Sequence, residues 1–276
     1  MIPAERKAVR EEDEYKMEIR ILEKSKDKLQ MSFMIRGTTP AYANVLRRMM
    51  IAEVPTMAIE DVEIVKNSSA MYDETLAHRL GLLPLTTDLK SYRMKKGAED
   101  DGSAACETTL TLKAKGPCTV YASSLKLKDP KIVPVYPDMP LCILLKGQEI
   151  EIIATAILGK GKEHMKWSPC LAWYSYEPIL TINQKSEQLE KMKHAYPPQI
   201  FDKSGKIDKA AILDNSLVDA VDGVCDDIIK VEYNEKNIIF HIEAWGQLDC
   251  KVIVQKAVEL FDEQLEDLDQ SLKNLS

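Results

Sequence analysis

The last stretch of this chain restricts its possible folds more than any other. Over residues 249–275, Val254, Ala257 or Val258, Phe261, Leu265, Leu268 and Leu272 recur at steps of three and four, and the opposite positions are strongly acidic. That spacing lays one apolar stripe along a long helix, close to a heptad seam over about three repeats. The first half of such a helix can pack back on its own sheet. The second half has little local structure left to cover it, so a helix of another chain is the expected occupant.

Ahead of it the chain reads mostly as strands. Met17, Ile19 and Ile21 alternate with charged residues, and Leu29, Met31, Phe33 and Ile35 repeat the pattern. The polar residues 23–28 between them make a hairpin of two half-buried strands. The period then changes. Thr39 and Pro40 mark a helix start, as cap and first helical position. Tyr42, Val45, Leu46, Met49 and Met50 follow on one stripe, and Pro55 requires the helix to end before it. Arg47 and Arg48 stand beside that stripe, about 100° apart, so both cannot enter one core. A forked, permanently charged guanidinium suits a polar contact between subunits; solvated helix arginines are the plainer alternative.

A strand over 57–65 comes next, then a short helix opening at Asp73, with Leu76, Leu80 and Leu83 on one face and Pro84 stopping it. Residues 91–105 are polar and small and read as a loop. Alternation over 108–115, 118–122 and 149–157 continues a β-rich region, and the prolines at 130, 134, 137 and 140 predict an extended connector. Residues 170–183 read as a long strand interrupted at Pro178. Helices are expected over 185–194 and 215–224, then strands over 228–233 and 237–243 joined by Asn234, Glu235 and Lys236.

Charge narrows the function. With 37 basic against 44 acidic residues, a formal −7 and a pI near 5.3, the chain lacks the basic balance of a protein that grips nucleic acid. Two short basic clusters, Arg93 with Lys95 and Lys96, and Lys160 with Lys162 and Lys166, are expected to be solvated surface. Cysteines at 106, 118, 142, 170, 225 and 250 are too scattered for a local metal turn and read as small buried hydrophobes. The histidines at 78, 164, 194 and 241 offer material for a Cys–His nucleophile, yet no phosphate loop, nucleophile elbow, dinucleotide fingerprint or zinc-protease motif accompanies them. His78 is read as structural. No apolar run of about 18 residues suggests a membrane span, and the charged residues 1–13 lack a signal peptide's apolar stretch, so a cytoplasmic chain is expected.

Three segments, in order, carry a resemblance. Residues 39–48, Thr-Pro-Ala-Tyr-Ala-Asn-Val-Leu-Arg-Arg, resemble the N-x-L-R-R helix of the α-type assembly subunits of RNA polymerase. Residues 73–85, Asp-Glu-Thr-Leu-Ala-His-Arg-Leu-Gly-Leu-Leu-Pro-Leu, are similar to the archaeal and eukaryotic branch of that family and separate the chain from bacterial α. Residues 162–169, Lys-Glu-His-Met-Lys-Trp-Ser-Pro, look like the H-x-K-W-S-P segment of the same branch. Residues 240–246, Phe-His-Ile-Glu-Ala-Trp-Gly, resemble its final strand and turn.

The resemblance, strongest to the archaeal members of the family, implies an α+β fold. A discontinuous dimerisation domain would take 16–52, 170–183 and 227–276, with a β-rich domain, 53–169, inserted into it and a small ferredoxin-like remnant at 184–226. It implies a non-catalytic role: pairing with a small L-type subunit, then joining subunits N and P and the two large catalytic subunits, with DNA met only through the complex. Val45, Leu46, Met49, Val254, Val258, Phe261, Leu265 and Leu268 would form the dimer interface, and Arg47 and Arg48 would touch a large subunit.

The chain departs from the family pattern at two places. The remnant at 184–226 keeps only Cys225, whereas an iron–sulfur cubane takes about four thiolates. The loop at 91–106, where relatives often carry a zinc-type cysteine group, keeps only Cys106, whereas tetrahedral zinc takes about four ligands. No cluster, zinc or other cofactor is therefore expected, and residues 96–105, without a metal staple, are expected to be mobile. An iron–sulfur or redox-sensing module regulating polymerase assembly is the rival function.

Overall fold

A computed structural model describes residues 17–100, 102–202 and 204–275. Residues 1–16, 101, 203 and 276, and with them the reading of the charged start of the chain, lie outside the described residues. Strands β1 (Glu18–Lys24) and β2 (Gln30–Arg36) precede helix α1 (Pro40–Arg48), which runs on into a π-helical turn, Met49–Glu53. Then come β3 (Pro55–Asn67), α2 (Asp73–Gly81), β4 (Glu107–Lys115), β5 (Cys118–Tyr121), β6 (Lys126–Leu127), β7 (Pro140–Leu144) and β8 (Glu149–Lys160). Strand β9 (Cys170–Ile182) leads into short helices α3 (Leu189–Met192), α4 (Lys209–Asp214) and α5 (Val218–Val221), followed by β10 (Ile229–Ala244) and α6 (Cys250–Lys273). The sheets run β1-β2-β10-β9, β3-β8-β4-β6 and β5-β7.

The described residues gather into two compact units. One takes residues 17–20, Met34–Pro40 and Ser175–Ile239; the other takes Ile21–Phe33, Ala41–Tyr174 and residues 240–275. In the larger unit β8 is the central strand, antiparallel to β3 on one side and to β4 on the other. Alternate residues of β8 (Ile150, Ile152, Ala154, Ala156 and Leu158) are buried with Leu110 and Leu112 of β4, as a half-covered sheet requires. Leu76 and Leu80 of α2 close that core, with Leu83 and Leu85 behind them. Elsewhere in this unit Phe33 stacks on Phe240 with ring centroids 5.1 Å apart, and Tyr174 packs on the same ring. The smaller unit has its own apolar centre, in which Tyr196, Ile200, Ile207, Ile212 and Val221 pack with Leu180, Ile228 and Ile229.

Several boundaries differ from the sequence expectation, each for a physical reason. β10 is a single strand. Asn234, Glu235 and Lys236 hold no positive φ, which a tight hairpin would need, so the polar triplet runs straight through. β9 is likewise uninterrupted at Pro178, because it lies at the sheet edge, where a missing N–H costs no ladder bond. Pro140 opens β7 rather than ending a connector, a position that also needs no donor. The helix expected over 215–224 shrinks to α5, and that over 185–194 to α3 followed by a 3₁₀ turn. α4 was not foreseen; its cap is Asp208, whose carboxylate accepts the Ala210 N–H at 2.9 Å. β1 is exposed along all seven residues rather than half-buried.

Candidate interaction surface

The terminal helix divides in two. Asp249 precedes α6, and Cys250, Ile253 and Ala257 are buried. The helix packs here against the turn Met49–Glu53, and Phe261 meets Tyr42 edge-on, with ring centroids 6.4 Å apart. Beyond that contact the stripe is bare: Leu265 is 47%, Leu268 55% and Leu272 57% exposed. The choice between Ala257 and Val258 is also settled, since Ala257 faces inward and Val258 outward.

The residues expected at the interface are therefore not all on a surface. Leu46 and Met49 are buried within this chain. The first half of α6 packs on the π-helical turn that begins at Met49, whereas Leu46 lies in α1 before that turn. Val45, Val254 and Phe261 are half-buried, while Val258, Leu265 and Leu268 are exposed. The sequence reading missed the exposed Ile19 and Ile21 of β1, whose alternation looked like a half-buried strand.

Arg47 and Arg48 point apart as their spacing requires. Asn44 Oδ1 accepts from Arg47 Nη2 at 2.9 Å and from Nε at 3.3 Å, which holds that guanidinium on the helix surface. Arg48 is exposed and joins no salt bridge among the described residues.

Residues 162–169 form a clasp around the root of β8. The backbone turns at Met165–Trp167, where His164 Nδ1 accepts the Lys166 N–H at 3.0 Å. Trp167 is buried against Gly159, where any Cβ would collide with its ring. Thr56 donates to the Trp167 carbonyl at 2.7 Å. The β3–β8 ladder slips by one residue between Ile59 and Asp61, leaving Glu60 as the extra residue of a bulge. Its carboxylate pairs with Lys166, whose ammonium also donates to the Ile59 carbonyl at 3.0 Å and lies 4.4 Å over the Trp167 ring. This segment is a structural lock. His78, expected to be structural, is instead exposed beside it, in a shallow groove with His164 and Lys166.

Each basic cluster holds ion-paired members, while Lys96 and Lys162 are exposed. Lys160 meets Glu53 at 2.9 Å and Lys95 meets Glu107 at 2.7 Å. In the loop ahead of β4, Arg93 grips the buried carboxylate of Asp100, which also accepts the Lys96 N–H at 2.8 Å. The Arg93 hydrogen bonds and the Lys96 N–H hold the Asp100 carboxyl down to about 2. The loop expected to be mobile thus carries its own polar anchor. Of the cysteines, 106, 142, 170 and 250 are buried as expected, and burial pushes the Cys170 thiol up to about 12. Cys118 is exposed, and Cys225 is half-buried with its thiol 3.2 Å from Gln188 Oε1. Among the described residues no group of three or more His, Cys, Asp or Glu side chains is placed to hold a metal ion, and no helix is long and apolar enough to cross a membrane.

Residues 62–169 match the family described as the RNA polymerase Rpb3/RpoA insert domain. Across the wider chain, a DNA-directed RNA polymerase subunit Rpo3 of Methanosarcina acetivorans is 36% identical over 263 residues, covering 91% of this chain and 97% of that protein. An Rpo3 subunit of Methanothermobacter thermautotrophicus is 35% identical over 250 residues, covering 88% and 95%. One from Pyrococcus furiosus is 39% identical over 177 residues, covering 64% and 66%. Agreement of this extent places the chain in a family: it belongs to the Rpo3 subunits of DNA-directed RNA polymerase.

Proposed function

We propose that this chain is a non-catalytic assembly subunit of a multisubunit RNA polymerase, acting in the cytoplasm and without a cofactor of its own. Its dimerisation domain, 16–52 with 170–183 and 227–276, pairs with a small L-type subunit. The inserted domain, 53–169, and the ferredoxin-like remnant, 184–226, extend from that platform. Subunits N and P and the two large catalytic subunits then join, Arg47 and Arg48 meeting one of the large ones.

The observation that carries this reading is the bare second half of α6. Leu265 and Leu268 continue a stripe whose earlier members are buried, and burying such side chains fully is worth about 1.5–3 kcal/mol each. A second helix laid along them completes the seam.

Co-expression with an L-type subunit tests it. The pair Phe261→Glu and Leu265→Glu should abolish co-purification of the small subunit while the thermal unfolding of the inserted domain stays intact. Retention of the small subunit would remove the seam from the account. Arg47→Ala with Arg48→Ala should keep the heterodimer and weaken recruitment of the large subunits; normal recruitment would reduce both arginines to solvated side chains.

A further inference from the structure

A cavity of about 510 Å³ opens on one face of the strands β2, β10 and β9. Phe33, Phe240 and Ile242 point into the core, so Ser32, His241 and Glu243, which alternate with them, point the other way. There Trp173 stacks on His241, with ring centroids 5.3 Å apart and planes 17° from parallel. The Ser32 hydroxyl and His241 Nδ1 lie 3.0 Å apart, which fixes the imidazole. Trp173 remains 41% exposed, although one ring face is already covered by His241. Glu23 and Glu243 border this aromatic shelf, and neither joins an ion pair among the described residues. Lys24 also lies at the rim, but it follows Glu23 directly in β1, so its side chain leaves the opposite face of the strand.

The chemistry of this lining selects its occupant. An aromatic face with two unpaired carboxylates beside it complements a cation. A planar, forked cation satisfies both parts at once, stacking on the indole while its N–H groups reach the carboxylates. An ammonium offers no plane to stack. A nucleobase could stack on Trp173, but its phosphates would face Glu23 and Glu243.

We propose that this groove seats the guanidinium of an arginine carried by a neighbouring subunit, over Trp173 and between Glu23 and Glu243. The proposal rests on the reading of this chain as a polymerase assembly subunit.

The test uses the purified polymerase assembled around this chain, tagged, with Trp173 replaced by photoreactive benzoylphenylalanine. Irradiation and mass spectrometry should map the captured residue immediately beside an arginine of another subunit. In a second arm, Glu23→Gln with Glu243→Gln should weaken retention of that same subunit about tenfold in a salt titration, while the small partner held by α6 stays bound. Capture beside no arginine, capture of nucleic acid, no capture, or an unchanged salt titration would each overturn the proposal with the assembly itself intact. If the unmodified chain brings down no large subunits, the functional reading fails and this inference falls with it.

Discussion

The two halves of α6 share one helix and one apolar stripe, yet they meet opposite fates. Ile253 and Ala257 are fully buried, whereas Leu265 and Leu268 are about half exposed. Composition separates them in part, since the second half carries Asp262, Glu263, Glu266, Asp267 and Asp269 against Glu259 alone in the first. What lies opposite separates them too: the turn Met49–Glu53 covers the first half, and that cover stops where Phe261 meets Tyr42. A hydrophobic period reports that a face requires cover. It does not say which chain supplies it.

Substitutions along the helix sharpen or break that contrast. Ile253→Ala should cost the isolated chain about 2–5 kcal/mol in denaturant unfolding, through lost burial and a residual cavity. A loss below half a kilocalorie would mean that the first half is not held as described. Leu268→Asp should leave the isolated chain within about 0.5 kcal/mol of the parent, because it faces solvent there, while partner binding is lost. Marked destabilisation of the lone chain would show that the second half packs internally after all. The smallest effect belongs to Lys273→Ala, which removes the pair with Asp269 at 2.5 Å. An exposed pair of that spacing contributes about 0.2–0.5 kcal/mol, and the change should appear as fraying of the last turn in hydrogen exchange.

How much could be read from the sequence follows the same division between local and distant causes. The start of α1 at Thr39 and Pro40 and the stripe of α6 depend on neighbours in sequence, and both stand where expected. The continuity of β10 and β9 depends on strand neighbours far along the chain, which overrode the local signals of Asn234 and Pro178. The burial of Met49 and Met50 comes with a π-helical turn that no residue pattern announced. The ion pairs of Lys160 with Glu53 and Lys166 with Glu60 join residues more than a hundred positions apart, so their lysines looked like plain surface. The Trp173–His241 shelf was hidden for the same reason. Its members come from separate strands, and only pairing in the sheet makes them neighbours.

The anchor at Asp100 sets the conditions under which the segment before β4 keeps its shape. A carboxyl depressed to about 2, below its ordinary 3.8, favours the folded loop at every pH above the ordinary value and loses that contribution only as acid carries it through the lower one. Strong acid, or a substitution that discharges Arg93, is what would open it.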